Sequence, residues 1–183
     1  MVRENAGYEL APGELPALRR AAAAFIDAGV DGLVIGFARS GALVLDDLQQ
    51  LLDGLPPARV TFHRAFDSLQ DPLGAIPMLT TVSQIDRILT SGSEGTPKER
   101  CQRLSAYRQL AAGRIEIIAG GGVDEEALSL FAREACVREL HVGRAAREGK
   151  QADGPVSAAR VRQLKELLSS QRSGTRDSGL GIR

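Results

Sequence analysis

Apolar residues recur at helical spacing over 12–29, a stretch that closes on a glycine, and Gly32-Leu-Val-Ile-Gly36 follows as a short apolar run of strand type. The step repeats along the chain. A helix over 45–52 leads into a strand at 59–63, a helix over 72–80 into a strand at 87–89, and a helix over 98–112 into a strand at 114–119. A helix over 125–133 then precedes a strand at 139–142, a last helix covers 158–168, and Val2-Arg3 reads as the stump of a further strand.

Strands that alternate with helices favour a parallel sheet with helical crossovers, either doubly wound or closed as a (β/α)8 barrel. A dinucleotide-binding sheet places GxGxxG after an early strand, whereas Gly36-Phe-Ala-Arg-Ser-Gly41 has another spacing, and GxxxxGK[ST] occurs nowhere. The expected fold is therefore α/β of the TIM-barrel type, in one domain over 1–168. Residues 169–183 are rich in Ser, Gly and Arg, and their few apolar side chains cannot offset the entropy of ordering, so this tail is expected to be disordered.

Composition narrows the function classes. Lys plus Arg and Asp plus Glu both total 23, which gives no electrostatic case for nucleic acid or an anionic membrane and leaves small molecules as the expected partners. The first residues lack both the apolar core of a signal peptide and the character of a transit peptide, and no apolar run reaches the roughly 18 residues of a membrane span. A soluble cytoplasmic protein is expected. The two cysteines, Cys101 and Cys136, form no CxxC and no metal-finger cluster, and they read as packing residues in a reducing compartment.

In barrels and open α/β sheets alike, ligand sites are built at the carboxyl ends of strands. Four polar groups fall there. Thr61-Phe62-His63-Arg64-Ala65-Phe66-Asp67 offers His63 for proton transfer, Arg64 to clamp an oxyanion and Asp67 to orient either; the same trio also fits a salt bridge tying strand to loop. Ser91 and Gly92 can expose backbone N–H groups to an anion, or form an ordinary turn. Gly120, Gly121 and Gly122 open a helix whose amino end suits phosphate or carboxylate, although Asp124, Glu125 and Glu126 compete there. His141 and Arg144 end the last strand. With only two histidines in the chain, His63 and His141 suggest one pocket, while a His satisfied by a backbone carbonyl is the alternative for His141. A His63/His141 pair is a poor copper site, since Cu(I) prefers thiolates, so the metal ligands remain unassigned.

Taken in order, Asp31-Gly-Leu-Val-Ile-Gly36, Val60-Thr-Phe-His-Arg-Ala-Phe-Asp67, Arg87-Ile-Leu-Thr-Ser-Gly92, Gly120-Gly-Gly122 and the His141/Arg144 pair resemble the CutC family, over about residues 3–168. The resemblance implies a cytoplasmic (β/α)8 barrel associated with copper homeostasis. It also implies two strand–helix units upstream of Met1, leaving about six units here, and a matching third strand that makes Arg3 an anion-binding candidate. The family's copper-linked cysteines belong to those upstream units, and Ser93 stands where some members carry Cys. Six strands would leave open edges that invite self-association. Three readings remain: a CutC-type copper homeostasis protein that binds copper; an enzyme acting on a small phosphate or carboxylate; or an inactive fragment or interaction protein, with a homo-oligomer as one outcome.

Overall fold

The computed structural model describes residues 7–172 and 181–182. Helix α1 (Glu14–Asp27) is followed by β1 (Gly32–Ile35), the short strands β2 (Ala38–Arg39) and β3 (Ala42–Leu43), α2 (Leu45–Leu52) and β4 (Arg59–Phe62). Then come α3 (Pro72–Leu79), β5 (Ile85–Thr90), α4 (Pro97–Ala111), β6 (Glu116–Gly120) and α5 (Glu125–Arg133). The order ends with β7 (Glu139–His141), α6 (Ala158–Arg172) and β8 (Gly181–Ile182). This is the strand–helix alternation that the hydrophobic periodicity predicts.

The described residues form two compact units, one of 7–89 with 110–115 and one of 90–109 with 116–172 and 181–182. In the first, β1 runs parallel to β4 with Gly32 opposite Arg59 and Ile35 opposite Phe62. Strand β4 in turn runs parallel to β5, and the register shifts between Val60, which faces Ile85, and Thr61, which faces Arg87. Leu33, Ile35, Val60, Phe62, Ile85 and Ile88 point into the core, where Leu48, Leu51 and Leu52 of α2 and Ile76 and Leu79 of α3 meet them. At roughly 1.5–3 kcal/mol for each fully buried aliphatic or aromatic side chain, this packing is the main favourable contribution to the unit.

The periodicity did not predict β2 and β3. They are antiparallel, joined by Ser40 and Gly41 with φ of 50° and 79°, the doubly left-handed turn that matches the twist of a two-residue hairpin. Gln70 clasps this hairpin from the turn that follows β4. Its backbone N–H donates to the Gly41 carbonyl at 2.8 Å, and its side-chain Nε2 to the Ser40 carbonyl at 3.5 Å.

In the second unit, β6 runs parallel to β7, with Ile118 opposite Glu139 and Gly120 opposite His141, and β7 pairs with β8. Leu104 of α4, Ile117, Leu128 and Phe131 of α5, Val137, Leu140 and Leu164 of α6 form its core. Asp124 caps α5 by accepting from the Ala127 N–H at 2.9 Å, a contact worth about 1 kcal/mol.

Several boundaries differ from expectation, among them β5, which runs over Ile85–Thr90 rather than 87–89. Strand β6 begins at Glu116 rather than residue 114, because left-handed Ala112 and Gly113 and the Arg114 N–H bond to the Ala111 carbonyl carry the chain out of α4 first. Helix α6 ends at Arg172, not Leu168, so 169–172 belong to it rather than to a disordered tail; Leu164 and Leu168 anchor its buried face. The rest of that tail lies outside the described residues, apart from 181–182, and so does Arg3. Among the described residues no helix is long and apolar enough to cross a membrane.

Candidate functional site

The polar residues singled out from the sequence stand at strand carboxyl ends in both units. His63 follows β4 directly, and its backbone N–H donates to the Ile35 carbonyl at 2.9 Å. Its Nδ1 accepts from the Ala65 N–H at 3.2 Å, so the neutral ring carries its proton on Nε2. The imidazole lies 5.3 Å, centroid to centroid, from the Tyr8 ring and directly over Gly36, where any Cβ would come within 2.6 Å of Nδ1. Glycine at that position is what lets the ring sit there.

Arg64 opens a 3₁₀ turn, Arg64–Ser68, that throws Asp67 back beneath it. The guanidinium Nε donates to Asp67 Oδ2 at 2.8 Å; the arginine is about half exposed (48%) and the aspartate largely covered (12%). This pair holds Arg64 at the rim of the loop. A hollow of about 780 Å³, bordered by Asp31, Arg59, Asp86 and Arg87, opens at the amino ends of these strands, the opposite end from His63. In α/β barrels that end serves stability, so the His63 end is the better candidate.

In the second unit, Ser91, Gly92, Gly121 and Gly122 are organised by a residue that sequence reading passed over. Arg100 is buried, and its Nε donates to the Ser91 carbonyl at 2.7 Å, Nη2 to Gly121 at 2.8 Å and Nη1 to Gly122 at 3.1 Å. Its guanidinium also stacks 5.4 Å from the Phe131 ring centre. Arg103 adds a bond from Nε to the Gly92 carbonyl at 2.5 Å, and the Gly92 N–H donates to Thr90 Oγ1 at 3.1 Å. A signal was available: Lys98, Arg100 and Arg103 crowd the amino end of α4, where the helix dipole disfavours cations, so they need other partners.

Glu125, at the start of α5, is bound by Arg160 and by Lys150 Nζ at 3.1 Å. The Arg160 guanidinium, opposed by partial burial and helped by a backbone hydrogen bond and Lys150, pulls its carboxyl down to about 2. The carboxylate thus faces its own cations beside the glycine loop. His141 ends β7, exposed, on a cavity of about 400 Å³ walled by Val142, Val156, Val161 and Leu164 and edged by Arg147 and Lys165. Arg144 starts the next 3₁₀ turn and is exposed, with no side-chain hydrogen bond or ion pair among the described residues.

Cys101 and Cys136 are both buried, and the Cys136 Sγ donates to the Phe131 carbonyl at 3.7 Å. Burial pushes both thiols up from the ordinary range, and the Glu134 charge adds to that. Among the described residues, no three His, Cys, Asp or Glu side chains converge to hold a metal ion.

Alternating strands and helices, parallel pairing and polar side chains gathered at strand carboxyl ends define an α/β protein of the TIM-barrel class. Residues 1–146 match the CutC family, and the chain belongs to that family. It is 36% identical over 126 residues to a CutC family protein of Bacteroides thetaiotaomicron, covering 68% of this chain and 49% of that protein. It is 33% identical over 114 residues to the human copper homeostasis protein cutC homolog, covering 62% of this chain and 41% of that one. A crystal structure of CutC from Streptococcus agalactiae, itself TIM-barrel-like, superposes with a TM-score of 0.67 at 26% identity, over 75% of this chain and 68% of that chain. The chain spans about half the length of the first of these curated relatives.

Proposed function

We propose that this chain is a cytosolic, CutC-type copper homeostasis protein with Cu(I) as its cargo. The observation that carries the reading is the 33% identity to the human copper homeostasis protein cutC homolog. Cu(I) selects soft thiolate ligands, and the chain carries two cysteines, Cys101 and Cys136. The test is cellular: deleting the gene in its own host should alter total cell copper and growth under copper load. Unchanged copper content and growth would overturn the reading.

A second reading is favoured by the geometry of His63. A ring whose Nδ1 is held by the Ala65 N–H presents Nε2 as its proton-bearing edge, an arrangement suited to acid–base work on a small phosphate or carboxylate. Arg64 is the anion clamp beside it, with Asp67 positioning Arg64. The second unit offers its own anion contacts at Ser91, Gly92, Gly120, Gly121, Gly122, His141 and Arg144. Titration with inorganic phosphate and with acetate, followed by nuclear magnetic resonance, should move the His63 ring signals; no shift with either anion would sink this reading.

A further inference from the structure

We propose that the cavity at the carboxyl end of β7 binds a small amphiphilic carboxylate, its apolar body against Val142, Val156, Val161 and Leu164 and its head between Arg147 and Lys165. The inference goes beyond both readings above and concerns the second unit alone. At about 400 Å³ the cavity stands toward the small end of ordinary ligand sites. Its apolar wall is only partly covered. Leu164 is buried and Val142 and Val161 are half-buried, but Val156 is 62% exposed, more than any other large apolar side chain of the described residues. A lone exposed valine needs no explanation; this one borders a concave apolar wall, where an occupant would take it out of water.

Charge selects the head of the ligand. Among the described residues no Asp or Glu lines the cavity, and its charged lining side chains, Arg147 and Lys165, are both cations. Lys165 is exposed and makes no side-chain hydrogen bond or ion pair among the described residues. With Val161 and Leu164 four and three residues before it, Lys165 shares their face of α6, so its stem can follow the apolar wall while the ammonium stays in water. Arg147 Nη1 donates to the Gly154 carbonyl at 2.6 Å, which leaves the other guanidinium donors for a carboxylate. An ammonium head would meet two like charges there.

The wall is set before a ligand arrives. Residues 147–156 form a loop closed at its base by an antiparallel bridge between Arg147 and Val156. The Glu148 N–H donates to the Pro155 carbonyl at 3.0 Å, and the Ser157 N–H to the Ala146 carbonyl at 3.0 Å. Lys150 Nζ, 3.1 Å from Glu125, ties the loop to α5. One cation and one apolar side chain are thereby held opposite each other at the mouth, and little ordering remains to be done when the ligand binds.

The experiment titrates the full chain, methyl-labelled at valine and leucine, with octanoate and follows the methyl signals by nuclear magnetic resonance. Octylamine reverses the head charge, octanol removes it and acetate removes the tail. Octanoate should bind saturably, move the Val156, Val161 and Leu164 methyls, and bind about tenfold or more tighter than each of the three controls. Its affinity should fall as salt is raised. Lys165→Gln, which removes no contact the fold uses, should weaken octanoate about fivefold and leave thermal unfolding unchanged. Octylamine or octanol binding as tightly as octanoate, or valine methyls that do not move, would overturn the site. So would ligand-free methyl shifts that follow chain concentration, since a second copy would then cover this face. The His63 ring signals report the anion reading above and the valine methyls this one, so either can fail without the other.

Discussion

Gly36 leaves the space that the His63 imidazole occupies: a Cβ at residue 36 would stand 2.6 Å from Nδ1 and 2.9 Å from Cε1 of the ring. Gly36→Ala should therefore displace the ring, break its bond with the Ala65 N–H and cost about 1–3 kcal/mol as an overpacking substitution. Thermal unfolding gives the stability, and the Ala65 amide resonance reports the lost bond. An alanine variant with unchanged Ala65 signal would mean that the ring is not seated over residue 36.

Arg100 satisfies three backbone carbonyls with one buried side chain. Arg100→Met keeps much of the stem but leaves those acceptors without it, and an expected loss of about 3 kcal/mol or more should appear in urea unfolding. Arg100→Lys should recover only part, because an ammonium cannot match the planar fork of the guanidinium. Faster amide exchange around residues 121–123 would accompany both.

Stability should fall in acid through Glu125. Its folded carboxyl is depressed from 4.5 to about 2, chiefly by Arg160, so its contribution is whole above pH 4.5 and is lost as pH drops towards 2. The partly exposed pair is screened by solvent, which leaves an expected effect of about 1–2 kcal/mol. Glu125→Gln should be less stable near neutrality and should lack this part of the acid limb in urea titrations at stepped pH.

Thiol chemistry should be slow in the folded chain. Burial raises both cysteines, which depletes the thiolate that attacks disulfide reagents. Neither Cys101 nor Cys136 should label at neutral pH until denaturant is added, when both should react. Rapid labelling of the folded chain would mean that at least one sulfur is not enclosed.

Hydrophobic period alone was enough to read the alternation of strands and helices, because each strand presents Leu33 and Ile35, or Val60 and Phe62, to a core on a two-residue repeat. It also placed His63, Gly120 and His141 at strand ends. The β2–β3 hairpin escaped because two-residue strands carry no periodicity, although Ser40-Gly41 is a turn pair of the right chemistry. Arg100 escaped for a different reason. A helical arginine reads as solvated surface until the fold brings the Ser91, Gly121 and Gly122 carbonyls to it. The bond from Arg108 to the Ala135 carbonyl likewise depends on tertiary packing, since nothing in the spacing of the two residues announces that α4 will meet the α5–β7 connection.

The clasp between Gln70 and the Ser40–Gly41 hairpin makes the loop after β1 and the turn after β4 a single cooperative unit. Neither can loosen without releasing the other, so the amide of Gln70 and those of the hairpin should share one opening free energy in hydrogen exchange. A ligand that orders either segment beside His63 would then quiet both, and the entropic penalty for closing that rim would be met once rather than twice.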